Sequence, residues 1–212
     1  MSASSPPRPF AATFLRLTGG VLAAAALAAA GALSAFTGSF EERLAACGAC
    51  HGETGHSSQP EVPSLGGQPA FYLTLQLYMF RERLRISEPM NALVAGLDDD
   101  TLHRMAERIA ELPPPRPPAE PAEPARAGRA LVLIREHRCG FCHNEDFSGE
   151  KNAPRLAAQR EDYLAKALRE YRDNIRRAYD SSMADAAQPL TDADIRDLAH
   201  FLARFRQTEA RP

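Results

Sequence analysis

The chain of 212 residues has four cysteines, and they fall into two groups of one pattern: Cys47-Gly48-Ala49-Cys50-His51 and Cys139-Gly140-Phe141-Cys142-His143. Cys-x-x-Cys-His is the attachment signature of c-type haem. Two thiols three positions apart on a helical turn can reach both vinyl groups of one porphyrin, and the following His stands beside the ring, where it can offer a nitrogen to iron. A zinc site would need a closed set of four protein ligands, and a redox dithiol would need a thioredoxin-like βαβ context. Neither accompanies these motifs. The expected cofactors are two haem c groups covalently held by Cys47, Cys50, Cys139 and Cys142, with His51 and His143 on iron.

The second axial position must be filled from elsewhere in the chain. Apart from Met1, the methionines are Met79, Met90, Met105 and Met183. Met90 follows His51 by 39 residues and Met183 follows His143 by 40. Both are expected in non-helical stretches, Ser87-Glu88-Pro89-Met90-Asn91 and Asp180-Ser181-Ser182-Met183-Ala184, where a loop could turn a thioether onto iron. Met79 and Met105 fall on predicted helices and read as core filling. His/Met ligation raises the reduction potential and closes both axial sites, which favours electron transfer over chemistry on a bound substrate. His56, His103, His137 and His200 read as surface or loop residues, with His56 the one placed to compete with Met90.

The elements that must position these residues occur twice. The two cysteine groups are 92 residues apart, and Pro63, Leu65, Gln68, Tyr72 and Arg81 recur 91 positions later as Pro154, Leu156, Gln159, Tyr163 and Arg172. Met90 and Leu97 recur 93 positions later as Met183 and Leu190. Ordered matches with small indels in loops indicate a duplicated unit. Residues 41–50 and 129–137 run helically into the motifs, and 70–85 and 160–177 carry apolar residues three and four apart. Final helices start at Asp98 and at Thr191, where Asp194 completes a capping-box pattern. No segment alternates strongly enough for a sheet, so the class is all-α. Seven prolines between residues 113 and 124 favour a stiff, extended connection. The expected layout is a leader at 1–38, a first domain at 39–112, a linker at 113–127 and a second domain at 128–207.

Arg8 and Arg16 precede an Ala-rich apolar run at 21–36, expected to be an export signal, or an anchor through residues 14–36. Beyond residue 36 the chain carries 23 basic against 27 acidic side chains. That balance gives no case for nucleic acid as a partner.

The doubled order Cys-x-x-Cys-His, Pro-x-Leu-x-x-Gln, Tyr, Phe/Tyr-Arg, Met and a capped final helix resembles the cytochrome c4 family. The resemblance covers roughly residues 40–112 and 128–205. It implies an all-α fold of two tandem cytochrome c-like domains, each wrapped around a covalent haem c. It also implies a periplasmic one-electron carrier, not an enzyme, fed by a quinol-oxidising complex or a dehydrogenase and discharging to a terminal oxidase. Pro63 and Pro154 would offer carbonyls to the rings of His51 and His143, and Arg81 and Arg172 would lie near haem propionates. Those propionate edges would form a polar, salt-sensitive contact between domains that the linker permits without enforcing. Two other readings remain: the electron-accepting subunit of a dehydrogenase of the flavocytochrome sulfide dehydrogenase type, and a dihaem peroxidase or thiosulfate-oxidising enzyme. The chain departs from the family pattern at Arg108, where the second copy has Phe201, and at Asn144, where the first has Gly52.

Overall fold

The computed structural model describes residues 38–176 and 181–207. The leader at 1–37 lies outside the described residues, as do Arg177 and Asp180. Among the described residues no helix is long and apolar enough to cross a membrane, and the only β-type pairing is one isolated bridge between Glu150 and Ala153.

The first repeat holds α1 (Phe40–His51), α2 (Ala70–Arg81), α3 (Glu88–Val94) and α4 (Asp99–Ala110). The second holds α5 (Pro124–Glu136), α6 (Cys139–His143), α7 (Glu161–Arg172), α8 (Ser182–Ala187) and α9 (Asp192–Ala203). Three of them start where a side chain satisfies free amides of the first turn. Ser39 and Glu42 form a capping box at α1, as do Thr191 and Asp194 at α9, and the Asp98 carboxylate accepts from Thr101 N–H at 2.7 Å. In the first repeat α4 and α3 pack on α2; in the second, α9 crosses α5 and α7 while α8 packs on α7. Leu77, Phe80, Leu102, Met105 and Ile109 fill the first core. Leu164, Ile195, Leu198 and Leu202 do so in the second.

Several boundaries differ from the sequence expectations. Helices α2 and α7 stop at Arg81 and Arg172, short of 85 and 177, because Arg83 and Asn174 turn left-handed (φ 55° and 56°). Each turn is closed by a 6→1 bond, Leu84 N–H to Met79 O and Ile175 N–H to Glu170 O, the Schellman arrangement. Met90 and Met183 lie on the one-to-two-turn helices α3 and α8 and not in loops. Pro89 occupies the first turn of α3, where its missing N–H costs nothing and its fixed φ is already helical. Pro124 does the same for α5, so residues 124–127, assigned above to the linker, form a helical turn.

The linker is docked along its length. Its start accepts from the first repeat: Gly67 N–H donates to Leu112 O at 2.8 Å, and His56 Nε2 donates to Pro113 O at 2.8 Å. Its far half is held by the second repeat, Arg206 donating to Pro118 O and Ala119 O at 2.9 Å each. Glu123 N–H then donates to His200 Nε2 at 3.1 Å. His200, expected at the surface, is buried by this contact. His56 is likewise committed to the linker.

The repeats meet through reciprocal amide contacts. Gln159 accepts from Ser64 N–H and donates to Ser64 O, both at 2.8 Å. Gln68 accepts from Arg155 N–H and donates to Arg155 O, both at 3.0 Å. Gln68 and Gln159 are repeat partners, as are Ser64 and Arg155, so the seam has pseudo-twofold symmetry. Arg81 and Arg172 take no part in it. Each instead bridges within its own repeat: Arg81 bonds Leu97 O, Glu82 and Asp99, and Arg172 bonds Leu190 O, Asp173 and Asp192. They clamp the entry of the last helix in each repeat.

Candidate haem-binding sites

In the first repeat α1 carries the whole motif, so Cys47 and Cys50 lie on one helical turn and His51 ends the helix. In the second, Arg138 (φ 54°) breaks the chain after α5, and the motif forms its own short helix α6. In both, the first cysteine is half-buried and the second exposed, and none of the four is in a disulfide. Burial pushes the Cys47 and Cys139 thiols above their ordinary range, so neither is a pre-formed thiolate.

The histidines are buried and held identically. Nδ1 of His51 lies 2.8 Å from Pro63 O, and Nδ1 of His143 lies 2.8 Å from Pro154 O. A carbonyl only accepts, so Nδ1 carries the proton and Nε2 is the ring's lone-pair nitrogen. Burial lowers the pKa of both rings, against the opposing effect of the proline carbonyls. Both are therefore neutral near pH 7, the protonation state and tautomer a metal requires.

After each histidine the chain reverses on a residue of positive φ, Gly52 (81°) and Asn144 (64°), which brings the proline loop back over the ring. Met90 and Met183 are half-buried on α3 and α8. Met90 packs against the Tyr72–Phe80–Leu97 core, and the next residue, Asn91, ties that helix down by donating to Phe80 O at 2.6 Å and Arg85 O at 2.8 Å. Met79 and Met105 are deeply buried. The doubled thiol pair, an Nδ1–H imidazole anchored by proline and a half-buried downstream methionine fit a covalent haem in each repeat.

The loss of an aromatic at Arg108 leaves the first core intact, with Ile109 buried beside it and Arg108 turned outward to Glu111. In the second repeat Phe201 packs edge-on in a trio with Phe147 and Phe205. Gln68 and Gln159 were visible in the sequence only as repeated residues, and their role across the seam carried no spacing signal of its own.

Residues 125–205 match the cytochrome c family model. Cytochrome c4 of Thiocapsa roseopersicina is 33% identical over 172 residues, covering 76% of this chain and 88% of that protein. The chain belongs to the cytochrome c4 family. Reduced recombinant cytochrome c4 from Pseudomonas stutzeri superposes with a TM-score of 0.71 at 27% identity, over 80% of this chain and all of that one. A thiosulfate dehydrogenase electron acceptor from Stutzerimonas stutzeri is 34% identical over 85 residues, 39% of each chain. Like other cytochrome c4 proteins, the chain is an all-α electron-transfer protein of two tandem cytochrome c-like domains with covalently bound haem c.

Proposed function

We propose that this cytochrome c4 is an exported carrier that moves one electron per site between redox proteins of the periplasm. Bound haem supplies the iron whose one-electron change carries the charge. Cys47 and Cys50 hold it in the first repeat, Cys139 and Cys142 in the second. His51 and Met90 would ligate the iron in the first repeat, and His143 and Met183 in the second. The observation that carries this reading is the twofold recurrence of one ring geometry, the 2.8 Å bond from each histidine Nδ1 to a proline carbonyl. That bond strengthens donation from Nε2 and fixes the ring plane. A thioether ligand would favour ferrous iron and complete the protein ligand set, which disfavours a peroxidase or thiosulfate-oxidising enzyme. Residues 1–38 are the export signal or anchor, and the domains extend over 39–112 and, from the start of α5, 124–207.

The acceptor we favour is a terminal oxidase. The similarity to a thiosulfate dehydrogenase electron acceptor supports a second reading, in which a dehydrogenase on another chain is the donor and this protein its immediate acceptor. The ligand set is tested by optical spectroscopy of the oxidised protein and carbon monoxide titration of the reduced form. Met90→Ala and Met183→Ala should each remove part of the far-red sulfur-to-iron band and open one carbon monoxide site per chain. If Met79→Ala did so and Met90→Ala did not, the assignment would be wrong. Comparing reduction rates with a purified sulfur-compound dehydrogenase and oxidation rates with a terminal oxidase separates the two physiological readings.

A further inference from the structure

The two methionine helices come from one duplicated segment, yet they are fastened differently. Met90 and Met183 are repeat partners at an offset of 93, and at the next position Asn91 stands where the second copy has Ala184. Helix α3 is seven residues long, too short to be stable through its backbone bonds alone. Asn91 supplies the missing hold. Its Oδ1 accepts from Ser87 N–H at 2.7 Å, and its own N–H donates to Ser87 O at 2.8 Å. Ser87 is the N-cap of α3, so one residue closes the first turn of the helix from both sides.

The other end of the same amide reaches out of the helix. Asn91 Nδ2 donates to Phe80 O at 2.6 Å and to Arg85 O at 2.8 Å. Phe80 lies in the last turn of α2, and Arg85 lies two residues past the left-handed Arg83 that ends it. Both amide hydrogens and the carbonyl oxygen are therefore engaged, on a residue only 3% exposed. Three points of the connection between α2 and α3 are gathered on one side chain. Pulling either helix away would strand buried polar groups, which is costly. Ala184 has no polar side-chain atom with which to build the same tie, and α8 is seated through Ala187, buried in a core with Leu190.

The tie bears on the residue beside it. Met90 is half-buried against the core that contains Tyr72, Phe80 and Leu97. An external ligand takes a thioether's place on iron only when the thioether withdraws, and the backbone that carries Met90 swings aside only by breaking the bonds of Asn91. We propose that Asn91 is a positioning residue for Met90, locking α3 to the turn after α2 so that the thioether resists displacement from the first haem. This rests on the ligand assignment above.

The test is an imidazole titration of the oxidised holoprotein, followed through the part of the far-red sulfur-to-iron band that Met90→Ala removes. Asn91→Ala should lose that part at an imidazole concentration about tenfold lower than the unsubstituted protein, since each lost buried bond weakens the hold about two- to tenfold. Asn91→Asp keeps the shape and the acceptor for Ser87 N–H but not the two donors, and should shift the midpoint in the same direction. The part of the band that Met183→Ala removes should keep its midpoint, because these bonds all lie within the first repeat. An unchanged midpoint for the first part in either variant, with two haems bound, overturns the inference, and so does an equal shift of both parts. Rapid exchange of the Asn91 side-chain amide hydrogens, read by NMR in the reduced unsubstituted holoprotein, overturns it even if neither variant folds. A band left intact by Met90→Ala would instead overturn the ligand assignment, and this inference with it.

Discussion

The residue after each axial histidine must take a backbone conformation that side chains resist. Gly52 (φ 81°, ψ 143°) and Asn144 (φ 64°, ψ 159°) occupy the same sparsely populated region. At Gly52 a Cβ would fall 2.3 Å from His56 O, so no rotamer or small shift relieves the clash. Asn144 is held there by its own side chain, donating to Ser148 Oγ at 3.0 Å and Gly149 O at 3.2 Å. The two repeats thus solve one constraint differently, by absence of a side chain and by capture of one. Gly52→Ala should destabilise the holoprotein by about 2 kcal/mol or more, while Asn144→Gly, which trades those bonds for relief of strain, should stay within about 1 kcal/mol. Denaturant unfolding of the two variants checks the contrast, and equal losses would contradict it.

At the scale of elements, α5 and α9 are joined by a carboxylate between two guanidiniums. Asp197 accepts from Arg126 at 2.9 Å and from Arg129 at 2.6 Å, with its side chain only 11% exposed. Arg129 is the main cause, ahead of Arg126, of a carboxyl pKa held below the ordinary Asp range. A depressed folded pKa means that the stabilisation is complete above the unfolded value of about 3.9 and is lost as pH falls through the folded one. Asp197→Asn should therefore cost roughly 1–3 kcal/mol at pH 7, and the difference from the unsubstituted protein should shrink below about pH 4. Unfolding curves at pH 7 and pH 3 measure both. What the sequence showed of these elements follows from what periodicity encodes. Amphipathic spacing located α2 and α7, one helix in each repeat, and the capping residues located α9, because those signals are local. The ends of α2 and α7 were hidden because Arg83 and Asn174 are not glycine, and the left-handed turn there is imposed by the bonds that close it. The clamp that Arg81 and Arg172 form was also present as a repeat signal: Asp99 and Asp192 recur with the same 93-residue offset as Leu97 and Leu190, whose carbonyls the same arginines bond. The histidines, by contrast, were legible in full, since Pro63 and Pro154 lie where the ring bonds require them.

At the scale of the whole molecule, the question is what keeps the two repeats together. A proline-rich tether alone sets only a maximum span, and exposed ion pairs would fade with salt over a Debye length of about 8 Å at physiological strength. The seam relies little on exposed charge. Its centre is the fourfold set of amide bonds from Gln68 and Gln159 to the backbone of Arg155 and Ser64, and all four of those residues are buried. Charged contacts such as Lys166 with Glu61 sit at the rim, where they contribute little. The docked linker adds bonds to both repeats and so lowers the entropy that separation would release. Small-angle scattering should therefore give the same radius of gyration at low and high ionic strength. Gln68→Ala/Gln159→Ala leaves the Ser64 and Arg155 amides and carbonyls without partners, a loss of about 1–3 kcal/mol for each group that stays buried. The seam can avoid that cost only by opening to water, so this variant should show a larger radius at every salt concentration while keeping both haems. A radius that grew with salt in the unsubstituted protein would mean that the rim, and not the glutamine pair, holds the repeats together.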